Sequence, residues 1–285
     1  MDVQYAVPLA PFTTWHIGGP ADRYICPTDW ETLTQFLQSL PANTDPIYWL
    51  GLGSNVLIPD EGLRGLVIHT RKLASTITGT QTVRAEAGVT CAKLARYCVK
   101  QGLGGATFFA GIPGTVGGAL AMNAGAFGGE TWERVIAVEV INRQGERHIR
   151  KPEEYAVGYR SVKGPSNDEW FVAGHFQFEQ ADPEQLASDL RQLIQKRNRS
   201  QPIGVFSCGS VFTNPPGEYA ARLIESCGLK GFRIGALQVS EKHANFIVNH
   251  GGATAKDAID LMAHIKDTVE QKTGIVLTSE VRFLA

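Results

Sequence analysis

Glycine is concentrated in four short stretches of this sequence, and their positions restrict what the chain can fold into. The stretches are residues 18–19, 51–55, 102–129 and 208–210, of which the third is the densest. Glycine makes up 31 of the 285 residues, above its usual share of about 7%. Because a residue without a Cβ atom reaches positive φ and allows close approach, we expect these stretches to form tight turns or to line a binding site.

The second and third stretches are interpreted as a cofactor site. Successive amide groups in a glycine-rich loop form a concavity that binds anions, and Ser54, Asn55, Thr115 and Asn123 add side-chain donors. Two such loops are able to hold a pyrophosphate, whereas one loop of this kind is more often only a turn. The sequence contains no P-loop, and residues 111–117 do not match the G-x-G-x-x-G fingerprint of a Rossmann fold.

Hydrophobic periodicity and capping residues predict a mixed α+β fold. Helices are expected behind four capping residues, namely Thr28, Thr90, Asp182 and Thr254. Strands are expected at residues 47–50, 56–58, 66–68, 135–141, 170–178, 246–248, 275–277 and 281–284. Since these elements alternate irregularly, the pattern favours α+β over a doubly wound α/β fold.

A change in sequence texture near Arg199 predicts a domain boundary. We expect a first region at residues 1–199, with two lobes at about 1–70 and 71–199, and a second domain at residues 200–285.

Charge and cysteine content exclude several classes of protein. A net charge of -1 gives no basic excess, so we expect no nucleic-acid partner. No apolar run approaches the length of a membrane span, and the N-terminal residues lack the pattern of a secretory signal. The five cysteines include no C-x-x-C pair, which argues against a disulfide framework and a zinc or other metal site and predicts a cytoplasmic protein.

Six motifs occur in an order that resembles a known family. The motifs are GLGSN at residues 51–55, AGIPGTVGGA at 110–119, MNAGA at 122–126, YRS at 159–161, GSVFTNP at 209–215 and EVRF at 280–283. Together they resemble the UDP-N-acetylenolpyruvoylglucosamine reductase (MurB) family, from near Thr13 to the end of the chain. Each motif alone is only moderately specific, whereas all six in this order are highly specific.

The resemblance implies a flavoenzyme of peptidoglycan precursor synthesis. Such an enzyme uses FAD and NADPH to reduce the enolpyruvyl ether of UDP-N-acetylglucosamine to UDP-N-acetylmuramate. It also implies the FAD-binding fold of vanillyl-alcohol-oxidase-type (PCMH) flavoproteins, followed by a smaller substrate domain. The short segment at residues 161–169 indicates the shorter type of the family, without the additional substrate-covering loop. The cofactor residues that the resemblance and the glycine loops together suggest are Gly51, Gly53, Ser54, Asn55, Gly111, Ile112, Pro113, Gly114, Thr115, Gly117, Gly118, Ala119, Asn123 and Gly125.

The resemblance assigns catalysis to three residues whose chemistry suits the reaction. The Arg160 guanidinium pairs with carboxylates and stays charged. The Ser210 hydroxyl matches the proton donor of the family, and Glu280 matches a carboxyl group that polarises or hydrogen-bonds the intermediate. Tyr159, Asn214 and Arg282 are candidates for substrate contact. The resemblance also implies that the last strand, which follows Glu280, returns to the active site.

The roles of several further residues, and two alternative functions, are left open by the sequence. Lys163, Arg197 and Arg199 are either ligands of the UDP diphosphate or ordinary surface cations. His243 is a candidate to line the site, while His16 and Cys208 are interpreted as structural. The alternatives are another PCMH-type flavin oxidoreductase that acts on an alcohol, and a nucleotide-sugar-binding module without catalysis. A monomer is expected over an oligomer.

Overall fold

The computed structural model describes residues 1–41, 46–78 and 81–284. Its helices are α1 (Trp30–Gln38), α2 (Cys91–Lys100), α3 (Val116–Met122), α4 (Pro183–Ser200), α5 (Ala220–Ser226) and α6 (Ala255–Thr273). The strands described are β1 (Gln4–Pro8), β2 (Pro20–Ile25), β3 (Ile47–Leu50), β4 (Val56–Leu57), β5 (Leu63–His69), β6 (Thr76–Thr78), β7 (Thr82–Glu86), β8 (Leu103–Gly104), β9 (Gly125–Ala126), β10 (Gly129–Glu130), β11 (Val135–Asn142), β12 (Arg147–Arg150), β13 (Ala156–Gly158), β14 (Ser161–Lys163), β15 (Glu169–Gln177), β16 (Glu179–Gln180), β17 (Arg233–Ile234), β18 (Leu237–Val239), β19 (Ile247–Asn249) and β20 (Arg282–Phe283).

Three of the four predicted helix caps are confirmed. Thr90 accepts a hydrogen bond from an amide in the first turn of α2, Thr254 does the same for α6, and the carboxylate of Asp182 accepts from an amide of α4. The prediction of Thr28 for α1 is wrong by one residue. Asp29 caps that helix by accepting from the Thr32 amide at 2.7 Å, because its carboxylate stands one position nearer the first turn and also favours the positive end of the helix dipole.

Most predicted strands are confirmed with small shifts of their ends, but the strand predicted at residues 275–277 is wrong. The segment has strand-like composition, yet no neighbouring strand pairs with it in the described chain. Pairing begins only after it, where Thr213 donates its amide to the Thr278 carbonyl at 2.9 Å and Phe212 bridges Ser279. A strand needs a hydrogen-bonding partner as well as a suitable composition. Apolar composition alone therefore predicts strands where none form.

The chain folds into two compact units. The first comprises Met1–Val3, Ile25–Gly51 and Ile68–Arg197, and the second comprises Gln4–Tyr24, Leu52–Val67 and Asn198–Ala285. The change from one to the other at residues 197–198 lies close to the predicted boundary near Arg199. The second unit, however, also takes in residues 4–24 and 52–67, which the sequence analysis assigned to the first lobe.

The first unit is built around an antiparallel five-stranded sheet in the order β12-β11-β15-β7-β6. Helices α2 and α3 contribute to its apolar core, with Leu94, Cys98, Leu120 and Phe176 among the buried side chains. An antiparallel sheet of this kind agrees with the α+β prediction and not with the parallel βαβ pattern of a Rossmann fold. Burial raises the pKa of Cys91 and of Cys98 to about 12, so both are inert thiols in this core.

The second unit packs around helix α6. Ala258, Leu261, Ile265 and Val269 of α6 are all buried, as the helical periodicity predicts. The unit contains the antiparallel strands β17-β18-β19 and the parallel pair β4 and β20. The pairing of β4 with β20 brings the last strand of the chain beside residues that directly follow the second glycine stretch.

One acidic residue of the first unit is surrounded by three basic side chains. Glu139 in β11 accepts hydrogen bonds from Arg84 Nε at 2.6 Å and from Arg147 Nη2 at 2.8 Å, and His175 Nε2 lies 2.8 Å from the same carboxylate. The hydrogen bond from Arg84 contributes most to lowering the pKa of Glu139, which is about 2 instead of the ordinary value of 4.5.

We therefore expect Glu139 to make the first unit acid-sensitive. Since its pKa is lower in the folded than in the unfolded chain, its stabilisation is complete above about pH 4.5 and disappears as the pH falls towards 2. Glu139→Gln should lower the free energy of unfolding at pH 7 by on the order of 3 kcal/mol. Urea unfolding at pH 7 and at pH 3 measures this, with the exposed Glu153→Gln as control. An equal loss at both pH values would contradict the expectation.

No helix among the residues described is long and apolar enough to cross a membrane.

Candidate active site

The two glycine stretches predicted to share a ligand meet in the first unit. Gly51 follows β3 directly, and a Cβ atom at this position would lie only 2.5 Å from Thr115 Oγ1. Thr115 is the N-cap of α3, where its hydroxyl accepts a hydrogen bond from the Gly118 amide at 3.4 Å. Residue 51 must therefore be glycine for the capping side chain to fit, and the contact places the second stretch against the third.

Position 53 requires glycine for a different structural reason, which lies in the second unit. It adopts a φ of +61°, and its carbonyl accepts the Thr14 amide at 3.0 Å. A Cβ atom here would collide with the carbonyl of Phe12. Close backbone packing is thus sufficient to require glycine at position 53, and a contact with a cofactor there stays a prediction.

The amide groups at the start of α3 already have partners within the first unit. Val116 donates to the Val89 carbonyl and Gly117 to the Ala87 carbonyl, while Gly118 and Ala119 both donate to Thr115. The expectation of a row of unpaired amides does not hold for these residues. Free amide donors therefore do not support the predicted contact of these residues with FAD, which stays a prediction.

Asn123, predicted as a cofactor donor, holds the glycine stretch together from inside. The residue is 2% exposed. Its Nδ2 donates to Glu130 Oε2 at 2.8 Å and to the Gly158 carbonyl at 3.1 Å, and its Oδ1 accepts from the Trp132 amide at 3.0 Å. The side-chain amide thus joins the stretch to the hairpin that carries Arg160.

Arg160 lies in the two-residue turn between β13 and β14 and is held beside the same stretch. Its guanidinium donates to the carbonyls of Asn123 at 3.3 Å and Gly125 at 3.0 Å, lies 3.8 Å from Glu130, and packs over the ring of Tyr159. Its backbone has a φ of +54°, which costs on the order of 1 kcal/mol in a residue other than glycine. Such backbone strain concentrates at functional sites, so this turn is a good candidate for one.

Arg197 contacts the third stretch at a second place, Ala110. Its Nη1 donates to the Ala110 carbonyl at 3.3 Å, and burial lowers the pKa of its guanidinium, which still stays charged at neutral pH. Arg160 and Arg197 thus place positive charge at two points along one glycine-rich stretch of the first unit. A pyrophosphate fits such surroundings because it needs cationic and hydrogen-bonding partners. Lys163 and Arg199 are exposed.

The second unit brings Ser210 and Glu280 onto neighbouring segments. Ser210 bridges Phe246 on one side, and on the other side the Glu280 amide donates to the Val211 carbonyl at 2.8 Å. These two predicted catalytic residues therefore lie close together although they are far apart in sequence. Arg160, the third, belongs to the first unit.

Asn55 makes a contact with this pair that the sequence reasoning missed. Its Nδ2 donates to the Glu280 carbonyl at 2.9 Å, and its own carbonyl accepts the Arg282 amide at 3.0 Å. The side chain predicted to bind a cofactor thus fixes the backbone of a predicted catalytic residue. The only sequence signal for this role is the polar residue directly before β4.

The three candidates for substrate contact are all exposed. Asn214 Oδ1 accepts the amide of Ala220, the first residue of α5, at 3.1 Å. Tyr159 is 49% exposed beneath the Arg160 guanidinium, and Arg282 lies in β20. Their contact with substrate stays a prediction.

Cys208 and His243 are poor catalysts in their observed surroundings. Burial is the main cause that raises the pKa of the Cys208 thiol, and the charge of Glu280 raises it further, so the sulfur stays protonated. Burial lowers the pKa of His243, and its Nδ1 atom has no hydrogen-bond partner among the described residues. Across residues 1–41, 46–78 and 81–284, no cluster of His, Cys, Asp and Glu is placed to hold a metal ion.

The fold and the glycine-lined site define the class of protein. A family model described as an FAD binding domain matches residues 21–149, which contain both meeting glycine stretches. The chain is therefore an FAD-containing oxidoreductase with a PCMH-type fold, as the resemblance implies.

The family follows from the second unit and from known relatives. A model of the UDP-N-acetylenolpyruvoylglucosamine reductase C-terminal domain matches residues 201–284. The reductase of Alkalilimnicola ehrlichii is 52% identical, with 99% of this chain and 95% of that protein covered, and that of Coxiella burnetii is 52% identical, with 97% and 94% covered. A solved reductase from Thermus caldophilus is 31% identical, with a TM-score of 0.84 and coverage of 100% and 98%. The chain belongs to the UDP-N-acetylenolpyruvoylglucosamine reductase family.

Proposed function

We propose that this protein reduces the enolpyruvyl ether of UDP-N-acetylglucosamine to the lactyl ether of UDP-N-acetylmuramate, with NADPH as the hydride source, in peptidoglycan precursor synthesis. The observation that carries the proposal is the pair of Ser210 and Glu280 on neighbouring segments of a unit that matches the family's C-terminal domain. The names of the relatives support the choice of substrate.

FAD, when bound and reduced, supplies a hydride to one carbon of the enolpyruvyl double bond. The protein must then stabilise the negative charge that develops on the other carbon and on the adjoining carboxylate. Arg160 suits this task because its guanidinium stays charged, offers several donors and is already oriented by the carbonyls of Asn123 and Gly125.

Ser210 completes the reaction by protonating that second carbon. A hydroxyl is a weak acid, but an enolate-like carbanion is a strong base, so the proton transfer is favourable. The resulting alkoxide regains its proton from solvent, and the substrate has then gained one hydride and one proton. Glu280 lies beside this segment and is proposed to polarise or hydrogen-bond the reacting group.

The proposal leaves the cofactor contacts as testable assignments. Gly51 and Thr115 have the strongest support because they touch each other at the junction of the two glycine stretches. The five free cysteines suit a reducing compartment, which supports a cytoplasmic location. A monomeric state stays a prediction that sedimentation velocity would test.

An anaerobic titration of the flavin tests the function directly. We expect the purified protein to be yellow, to bleach with NADPH, and to recover its oxidised spectrum only when the UDP-enolpyruvyl sugar is added. A colourless protein that binds no added FAD would contradict the proposal. Reoxidation by oxygen after reduction with an alcohol, without any response to the UDP sugar, would instead indicate an alcohol oxidoreductase.

A further inference from the structure

A buried asparagine outside the predicted site binds the backbone between Ser210 and Thr213. Asn245 is 4% exposed, and both ends of its side chain contact Phe212. Its Oδ1 accepts the Phe212 amide at 3.0 Å, and its Nδ2 donates to the Phe212 carbonyl at 2.8 Å. The side chain therefore satisfies every polar backbone group of one residue.

This pair of bonds replaces backbone pairing that the local chain cannot provide. Asn245 lies within a turn, in which the Phe246 amide donates back to the His243 carbonyl at 3.0 Å. The Asn245 carbonyl still accepts the Val211 amide at 2.9 Å, and Phe246 bridges Ser210. The amide side chain of Asn245 thus extends this hydrogen bonding between the two segments as far as Phe212.

The opposite edge of the same segment is paired with the residues around Glu280. The Val211 carbonyl accepts the Glu280 amide at 2.8 Å, and the Thr213 amide donates to Thr278. The segment that carries Ser210 is therefore fixed between Asn245 on one side and the Glu280 backbone on the other. A shift on the Asn245 side changes the position of Ser210 relative to Glu280.

We infer that Asn245 is a positioning residue that fixes the Ser210 hydroxyl for proton transfer. The inference rests on the proposed function, because it assigns a role within the same proton-transfer step. Asn245 acts through the backbone of Phe212. Displacements of about 1 Å at a reacting group reduce rates by roughly 10²-fold, so precise placement of this segment has a large kinetic effect.

The test compares Asn245→Ala with Asn249→Ala in the intact flavoprotein. Asn249 is a matched control because it is also 4% exposed and uses its side chain on backbone groups, the Trp15 carbonyl and the Gly251 amide, each at 2.8 Å. Stopped-flow absorbance follows reduction of the flavin by NADPH and its reoxidation by the UDP-enolpyruvyl sugar as separate half-reactions. Thermal unfolding is measured for every variant.

Asn245→Ala should slow reoxidation by roughly 10²-fold and leave flavin reduction close to wild type. The solvent deuterium isotope effect on reoxidation should rise, because proton transfer becomes more strongly rate-limiting. Asn249→Ala should lower the unfolding temperature without this selective effect. If Asn245→Ala does not fold, Asn245→Ser provides a milder variant, since water has room to bond Phe212, and it should show a smaller but equally selective loss.

Three results would overturn the inference. The first is an equal loss in both half-reactions, and the second is the same selective loss in Asn249→Ala. The third is normal reoxidation in a folded Asn245 variant while wild type reacts with the sugar. If wild-type reduced flavin is not reoxidised by the sugar at all, the proposed function itself fails and the inference fails with it.

Discussion

Replacing Ser210 by alanine is expected to slow reoxidation of the reduced flavin by the UDP-enolpyruvyl sugar by roughly 10³- to 10⁴-fold, the upper part of the range for loss of a general acid. Flavin reduction by NADPH should stay close to wild type, because no proton donor to the sugar is needed in that step. Rapid-mixing absorbance measurements of the two half-reactions provide the test.

The expected selectivity follows from how Ser210 is held. Its position is fixed by backbone pairing with Phe246 and by the neighbouring Val211–Glu280 hydrogen bond, so removing one oxygen atom leaves the segment in place. Ser226→Ala in α5 is a matched control, since it removes a hydroxyl that bonds the Leu223 carbonyl of its own helix. Equal slowing of both half-reactions by Ser210→Ala would show that Ser210 is structural.

The second large effect is expected at Arg160. Arg160→Ala should reduce the rate of reoxidation by roughly 10²- to 10³-fold, because the developing negative charge loses a preorganised cation. Arg160→Lys should recover only part of this rate, since an ammonium group keeps the charge but cannot reach the Asn123 and Gly125 carbonyls with the same planar set of donors. Stopped-flow reoxidation and bound flavin per protein are measured together.

A control separates the charge of Arg160 from its structural contacts. Arg143→Ala removes another guanidinium from the same unit, one that pairs with Asp168, and should leave reoxidation unchanged. If Arg160→Ala loses its flavin while its reoxidation rate per bound flavin stays normal, the side chain serves to hold the glycine stretch and has no electrostatic role in the reaction.

The parts of the fold that sequence predicted are those governed by local signals. Thr254 followed three residues later by Asp257 is a capping box, and the apolar spacing of α6 places Leu261 and Ile265 inward. The strand predicted at residues 275–277 failed because pairing depends on a distant partner. Likewise, the positive φ of Arg160 occurs with side-chain contacts to residues 35 and 37 positions away, and the intrinsic preferences of arginine do not predict it.

For the site, the sequence predicted the stretches of chain that meet more reliably than the role of each residue within them. Gly51 and Thr115 were expected in one site, and their contact supports this. Asn55 and Asn123 were expected to donate to a ligand, yet both hold backbone groups that lie far away in sequence. An amide side chain suits either task, and only the folded neighbours decide between them.

The parallel pairing of β4 with β20 has a consequence for how this protein is made. The second unit joins residues from the two ends of the chain, as in the bond from Trp15 Nε1 to the Ile247 carbonyl across 232 positions. A ribosome therefore releases residues 4–24 and 52–67 of this unit long before their partners in residues 198–285 exist. The first unit can gather most of its core during synthesis, whereas the segment around Ser210 and Glu280 reaches its working arrangement only after translation of β20.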